Sequence, residues 1–383
     1  MATGYEVGRS PGNYSPAGQD LSAGLEKPAA TGSVARTLAA HLGDAADVMD
    51  YGATGNGTTD DTAAIQAAIN SFASPGGRVY FPPGTYKITG SGLTLQLSTS
   101  LIGAGAGDTS TATPTIIDGT GITNGLYYAI TIPNSARGNL LQGFSLRGAL
   151  TSTSARGIYT QSAEYVTIRD VDISGFYEAL NLSTLARSLI DQVRTNLTWF
   201  SGVVLTGGSS VTIRNCYIAN ANHSGANGSN AGIYCINCSD IDMYLSEMDE
   251  SGAGAATIRL ANTQRALIEC GLLYYSTLGA GGGRGIQVDS NCSEVTIRGC
   301  HIKGFSANPT GATIDLAGTN HRLQNIVTEP QGGTDIIDAS TGTVWLNVNG
   351  VYKVMNLPTA DPGAGSKQLW CDTTDSNRVK FRT

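Results

Sequence analysis

The segment SEMDES, Ser246–Ser251, is the densest acidic group in the chain. Glu247 and Asp249 are two residues apart, so in an extended strand they share a face, about 6.6 Å apart at the backbone. Glycoside hydrolysis uses two carboxyl groups, about 5–5.5 Å apart for retention of configuration and 6.5–9.5 Å for inversion. The pair therefore suits an acid/base role. Glu250 could replace either, and Glu178 is a more remote candidate, three repeats away or about 14 Å by coil spacing. Tyr177, Trp199, Phe200, His223, Tyr274, Tyr275 and Lys303 fall at comparable positions. Aromatic faces stack on sugar rings, and polar tips bond sugar hydroxyls, so these are candidate substrate-binding residues. An eliminating enzyme would instead need a base and a cation for a uronate carboxylate, and His223, Tyr274, Arg259 and Lys303 could serve. No compact multi-aspartate calcium cluster lies in this region, so hydrolysis ranks slightly above elimination. The plain alternative for each acid is a solvated surface.

These residues sit at fixed offsets in a repeat. EYVTIRDVDI, SSVTIRNCYI and SEVTIRGCHI are copies of one unit. Weaker copies align on a column of Ile168, Ile190, Ile213, Met243, Ile268 and Ile297. A second column, five residues on, reads Ile173, Thr195, Ile218, Met248, Leu273 and Ile302. A third precedes the first and reads Thr160, Leu182, Leu205, Cys235, Leu260 and Val288. Three short strands per repeat, with turns of variable length and no helix between them, predict a stacked parallel β-helix. Just before the second column, an outward row reads Asp172, Arg194, Tyr217, Glu247, Leu272 and His301. The seven cysteines mostly fall in inward or corner positions, where buried, reduced thiols are expected.

Composition agrees. Among 383 residues there are 50 glycines and only 14% charged residues, which suits an all-β chain rich in turns. A net charge of −7 offers no broad basic field, so no nucleic-acid partner is expected. No apolar run is long enough to insert in a membrane, and the first residues show no secretory leader. Cys235 and Cys238 form a half-site with no second pair, so neither a metal nor a cofactor is expected.

DYGATGNGTTDDTAAIQAAIN, Asp50–Asn70, has a glycine-rich loop entering a helix, as a phosphate site would. Asp60 and Asp61 stand where phosphate would bind, and carboxylates there satisfy the helix start themselves. Followed by GGRVYFPPGTYKIT, this stretch resembles the opening of the pectate-lyase-like, right-handed parallel β-helix superfamily, in which phage tailspikes form a large branch. The preceding GSVARTLAAHLGDAADVMDYGA resembles the neck of phage tail fibres and tailspikes. The resemblance implies that the loop and helix are a lid closing the end of the solenoid. It also implies a virion protein, assembled in the host cytoplasm, that binds and depolymerises a bacterial surface polysaccharide. The alternatives are a non-catalytic tail fibre or adhesin and a secreted polysaccharide lyase.

The expected organisation has four parts. Residues 1–32 form a segment that docks on a tail adaptor or baseplate protein. Residues 33–47 form a neck helix, whose Val34, Leu38 and Leu42 stripe would be buried in a homotrimer. Residues 48–342 form the β-helix with its capping helix. Residues 343–383 form a small C-terminal β module for trimerisation or capping, with Trp370 as its anchor; NLPTADPGAGSKQLW resembles a module of phage tail fibres.

Overall fold

The computed structural model describes residues 43–72, 76–107, 114–122, 128–149, 155–219, 231–250, 256–275, 284–304, 312–329 and 334–349, and the short strands at 25–26, 36–37, 351–354, 369–372 and 378–381. The body is a parallel β-solenoid. Each repeat adds one strand to a 10-stranded sheet and one longer or divided strand to a 20-stranded sheet. In one coil, for example, Glu178–Ser183 belongs to the first and Leu185–Asn196 to the second.

The three aliphatic columns are registers of this stack. Ile168, Ile190, Ile213, Met243, Ile268 and Ile297 pair in turn across successive coils. So do Ile173, Thr195, Ile218, Met248, Leu273 and Ile302, and Thr160 through Val288. All are buried in one continuous core. Alternation along each strand sends the intervening residues outward.

The coil turns its corners on single left-handed residues. Tyr165, Arg187, Ser210, Asp240, Arg265, Glu294 and Asn320 all have φ between 49° and 57°. They occupy one corner on successive coils. A second corner uses Asp170, Gln192, Asn215, Gly299 and Asn325, again at positive φ. This backbone costs most residue types about 1–2 kcal/mol. Inter-coil bonds hold it, such as Tyr165 N–H to Ala186 O at 3.0 Å and Asn215 N–H to Tyr244 O at 2.8 Å.

The glycine loop leads into a helix that packs on the solenoid. Helix Thr62–Asn70 buries Ile65, Ala68 and Ile69 over the first coil. Gln66 donates to Thr94 O at 2.8 Å and accepts from Thr94 N at 2.9 Å, so its amide completes the edge strand Leu93–Thr94 of the 10-stranded sheet. The glycine loop is filled from within. Asp61, 1% exposed, accepts from Thr54 N at 2.7 Å, Thr54 Oγ1 at 3.1 Å and Gly55 N at 3.1 Å. Amides that could have cradled phosphate are thus committed to a carboxylate of the same chain. Asp60 takes the helix start, accepting from Thr62 N at 3.0 Å.

Three expectations change. Within 33–47, the described residues that adopt regular structure are extended rather than helical: Arg36–Thr37 pairs with Leu25–Glu26, and Ala45–Asp47 pairs with Gly77–Phe81. The sheet edge supplies Ala45–Asp47 with hydrogen bonds, and Ala46 packs inward. Val34, Leu38 and Leu42 lie outside the described residues. The solenoid also runs past 342: Val344–Val348 pairs in parallel with Arg322–Glu329, and Val351–Val354 then folds back antiparallel. The strands Leu369–Asp372 and Arg378–Phe381 form an antiparallel pair. Finally, Cys270 and Cys300 are joined as a disulfide between adjacent coils, with Cα atoms 4.7 Å apart. In that part of the stack the inward position shifts by one residue, so Leu245 and Cys270 both face the core. Cys216, Cys235, Cys238 and Cys292 are free and buried.

Replacing Asp61 with Ala strips three donors of their shared acceptor and should lower unfolding stability by about 2–4 kcal/mol. A denaturant titration showing less than about 0.5 kcal/mol of change would contradict this role for the carboxylate.

His321 gives a pH signature. It is 2% exposed, its Nδ1 accepts from Val295 N at 3.2 Å, and its Nε2 donates to Ala317 O at 2.9 Å. Burial pushes the imidazole below its usual value, against smaller raising effects from the Ala317 carbonyl and Asp338. The unfolded chain therefore binds the proton more readily. The contribution of His321 is fully present above the unfolded value of about 6.5 and is lost as pH falls through the lower folded value. Thermal unfolding of wild type should shift downward between about pH 7 and 5, and His321→Gln should flatten that slope; an unchanged slope would refute the assignment.

Candidate functional site

Two outward columns run side by side along the 20-stranded sheet. The first reads Ser145, Asp172, Arg194, Tyr217, Glu247, Leu272, His301 and Val327. Its order from Asp172 to His301 is the one expected from the repeat. The second, which follows Asp118, reads Arg147, Ser174 and Asn196. It continues through Ala219, Asp249, Tyr274, Lys303 and Glu329. With coils about 4.8 Å apart, eight positions make a polar track about 34 Å long.

Pairwise contacts hold the track. Arg194 Nε lies 3.7 Å from Asp172 Oδ1, and its guanidinium is 5.7 Å from the centre of the Tyr217 ring. His301 Nε2 is 2.8 Å from Glu329 Oε1, and Lys303 Nζ lies 5.8 Å from the centre of the Tyr274 ring. Glu247 is exposed between Tyr217 and Leu272. The register pairs Asp249 with Ala219 and Tyr274, and Glu250 with Tyr275. The side chains of Asp249, Glu250 and Tyr275, and the whole of His223, lie outside the described residues. At the N-terminal end, Ser145, Arg147, Asp172, Arg194 and Tyr217 line a pocket of about 430 Å³. Among the described residues, no three His, Cys, Asp or Glu side chains converge as metal ligands.

The expected strip divides in two. Glu247, Tyr274 and Lys303 lie on this track, whereas Tyr177, Glu178, Trp199 and Phe200 lie beyond a corner that leads into the 10-stranded sheet. Phe176 turns into the core there and is fully buried, so Glu178 opens the next strand instead of closing the previous one. Glu178 is only 5% exposed, a correction to its expected outward position. It accepts from Arg156 Nε at 2.6 Å and from the Asn181 amide. Arg156 lies 5.8 Å from the ring centres of both Tyr128 and Tyr177. Tyr128 stacks on Tyr159 at 3.9 Å, and Tyr177 on Phe200 at 5.0 Å. Phe200, Tyr177, Arg156, Tyr128 and Tyr159 thus form a chain of planar groups whose faces meet one another. Burial raises the Tyr177 phenol, and the Glu178 carboxylate adds to the effect. This cluster staples coils, and a carboxylate so fully paired is poorly placed for proton transfer.

Arg147, Asn196 and Glu329 were not foreseen as site residues. Arg147 ends LLQGFSLR, a copy of the repeat too weak to align by eye, and Glu329 follows the last strong copy. Extending the column register by one coil in each direction would have found both.

Residues 45–173 match a family model described as rhamnogalacturonase A/epimerase, pectate lyase-like. The mannuronan C5-epimerase AlgE2 of Azotobacter vinelandii is 46% identical over 70 residues, covering 16% of this chain and 7% of its own length. The chain thus matches only a small fraction of this curated relative. Among solved structures, the A-module of the Azotobacter vinelandii mannuronan C-5 epimerase AlgE4 superposes with a TM-score of 0.54 at 18% identity, covering 81% of this chain and 98% of the module. The Dettilon tailspike protein superposes with a TM-score of 0.51 at 16% identity, covering 81% of this chain and 62% of its own. At these identities the structural likeness is one of fold, the parallel β-helix.

Proposed function

We propose that the chain binds and cuts a bacterial surface polysaccharide along the outward track, as the β-helical body of a homotrimeric phage tailspike. The observation that carries this reading is the track itself. A line of carboxylate, guanidinium, phenol, imidazole and ammonium groups occupies outward positions on successive coils, where the fold needs only polarity. A rigid, elongated polar surface suits a long polymer, and no compact pocket is required. The fold neighbours, which include a tailspike and a polysaccharide epimerase module, support the same class.

Glu247 and Asp249 are the acid/base pair in this reading. They occupy alternate positions of strand Ser239–Glu250, a backbone separation of about 6.6 Å. That backbone spacing permits a carboxyl separation suited to inversion, in which one group protonates the leaving oxygen and the other activates water. Tyr217 and Tyr274 flank them in register and would position sugar rings, with Lys303 bonding hydroxyl or acidic substituents. The N-terminal segment would dock on a tail adaptor or baseplate protein, placing the molecule on the virion.

A second reading, a tail fibre that adheres without cutting, is favoured by one observation. Glu178 is sealed by Arg156 and Asn181, which leaves the 247–250 segment to supply the catalytic carboxylates.

The purified chain, incubated with capsule or lipopolysaccharide from candidate hosts, should release oligosaccharides detectable by mass. Glu247→Gln and Asp249→Asn should each lower release by about 10²–10⁴-fold while polymer binding persists. Polymer that is bound but stays intact would select the adhesin. Undiminished release by both variants would move the chemistry elsewhere.

A further inference from the structure

The track is closed at one end. Segment Ala104–Gly107 folds over the outward face of the coil carrying Ser145. Gly105 N donates to Gly143 O at 2.8 Å and Gly107 N to Ser145 Oγ at 3.0 Å, while Ser145 Oγ donates to Gly107 O at 2.8 Å. Ala104 N donates to Thr115 Oγ1 at 2.9 Å, and Thr115 N to Gly105 O at 3.1 Å. The segment is therefore fixed to the body along its length. Beneath it, Ile116 is 1% and Ser145 4% exposed, although both stand in the outward column. Accessibility then opens along that column, with the Asp172 side chain at 30% and Arg194 at 66%.

The pocket of about 430 Å³ lies against this wall, with Gly107, Ser145, Arg147, Asp172, Arg194 and Tyr217 around it. Its described lining holds two guanidiniums and one carboxylate, that of Asp172. Arg147 is half-buried and follows Asp118 in its column, and among the described residues it closes no ion pair with that carboxylate. Arg194 meets Asp172 only at 3.7 Å and lies mostly in solvent, a pair of little energetic weight that a ligand could displace. Two guanidiniums facing one cavity recognise a planar anion, and a carboxylate is the form a sugar offers with matching bidentate geometry.

We propose that this pocket seats the terminal residue of the polysaccharide and that this residue carries a carboxylate, so the chain reads its ligand from one end. This rests on the polysaccharide reading above and deepens it.

Carboxylated hexasaccharides (galacturonate, mannuronate, glucuronate and sialate) and their carboxyl-reduced neutral counterparts would be immobilised through the reducing end or, separately, through the non-reducing end. The full chain should bind at least one acidic hexasaccharide about tenfold or more above its neutral counterpart. It should do so in only one tether orientation. Arg147→Met should abolish the acid preference, and Arg147→Lys should restore part of it; thermal unfolding of both variants close to wild type confirms that the fold is intact. Equal binding in both orientations, or an acid preference that survives in a folded Arg147→Met, overturns the proposal. Binding of neutral hexasaccharides alone overturns it while leaving the polysaccharide reading in place. Binding of no hexasaccharide counts against both.

Discussion

The parallel hydrogen-bonded register between coils is the constraint on which everything else depends. Because each residue pairs with its counterpart one coil away, a side-chain type chosen once is repeated along the axis about every 4.8 Å. Inward, repetition gives the aliphatic columns and a core without breaks. Outward, it gives rows in which neighbours must tolerate each other, and the structure answers with alternating signs. Asp240 meets Arg265 at 2.6 Å, Glu269 meets Arg298 at 2.7 Å, and Asp191 meets Arg214 at 2.9 Å. The exposed pairs among them, Asp240 with Arg265 and Glu269 with Arg298, each add little stability. Their value is that like charges do not stack.

Against that background, the track from Asp172 to Glu329 differs in kind. Its members do not simply alternate in charge. Phenols, an imidazole and an ammonium are interspersed with acids, and cation–ring contacts replace some of the ion pairs. The Arg156–Glu178 cluster makes the contrast. There, too, aromatics and charges converge, but the Arg156 guanidinium, the Tyr128 and Tyr177 rings and the buried carboxylate are already engaged by other residues of the chain. The first arrangement leaves groups to offer a ligand, while the second spends them on holding coils together.

Much of this was legible in the chain. Ile213 and Ile297 share one internal shaft because the VTIR copies could be aligned without ambiguity, and the outward row from Asp172 to His301 followed from strand alternation. Asp60 and Asp61, standing where a phosphate site needs bare amides, spoke against a nucleotide loop, and the lid itself came from the resemblance to the opening of other β-helices. The features that escaped did so for physical causes. The corner residues Tyr165, Arg187, Glu294 and Asn320 share a left-handed backbone but no side-chain type, so no composition marks them. Glu178 escaped because Phe176 turns into the core and Glu178 opens the next strand, where Arg156 and Asn181 cover it. The Cys270–Cys300 link escaped because the inward position slips by one residue in a single region of the stack. A strict column therefore put Cys300 above Gly271 instead of Cys270.

The central claim is that the ligand lies along one face of the solenoid. The most direct measurement is carbodiimide labelling of carboxyl groups, read by mass spectrometry, with and without a bound polysaccharide. The account predicts that Asp172, Glu247, Asp249 and Glu329 lose label together on binding, whereas Glu164, Asp240 and Glu269, on other faces and corners, do not change. Protection of Glu164, Asp240 and Glu269 with undiminished labelling of Glu247 would contradict it.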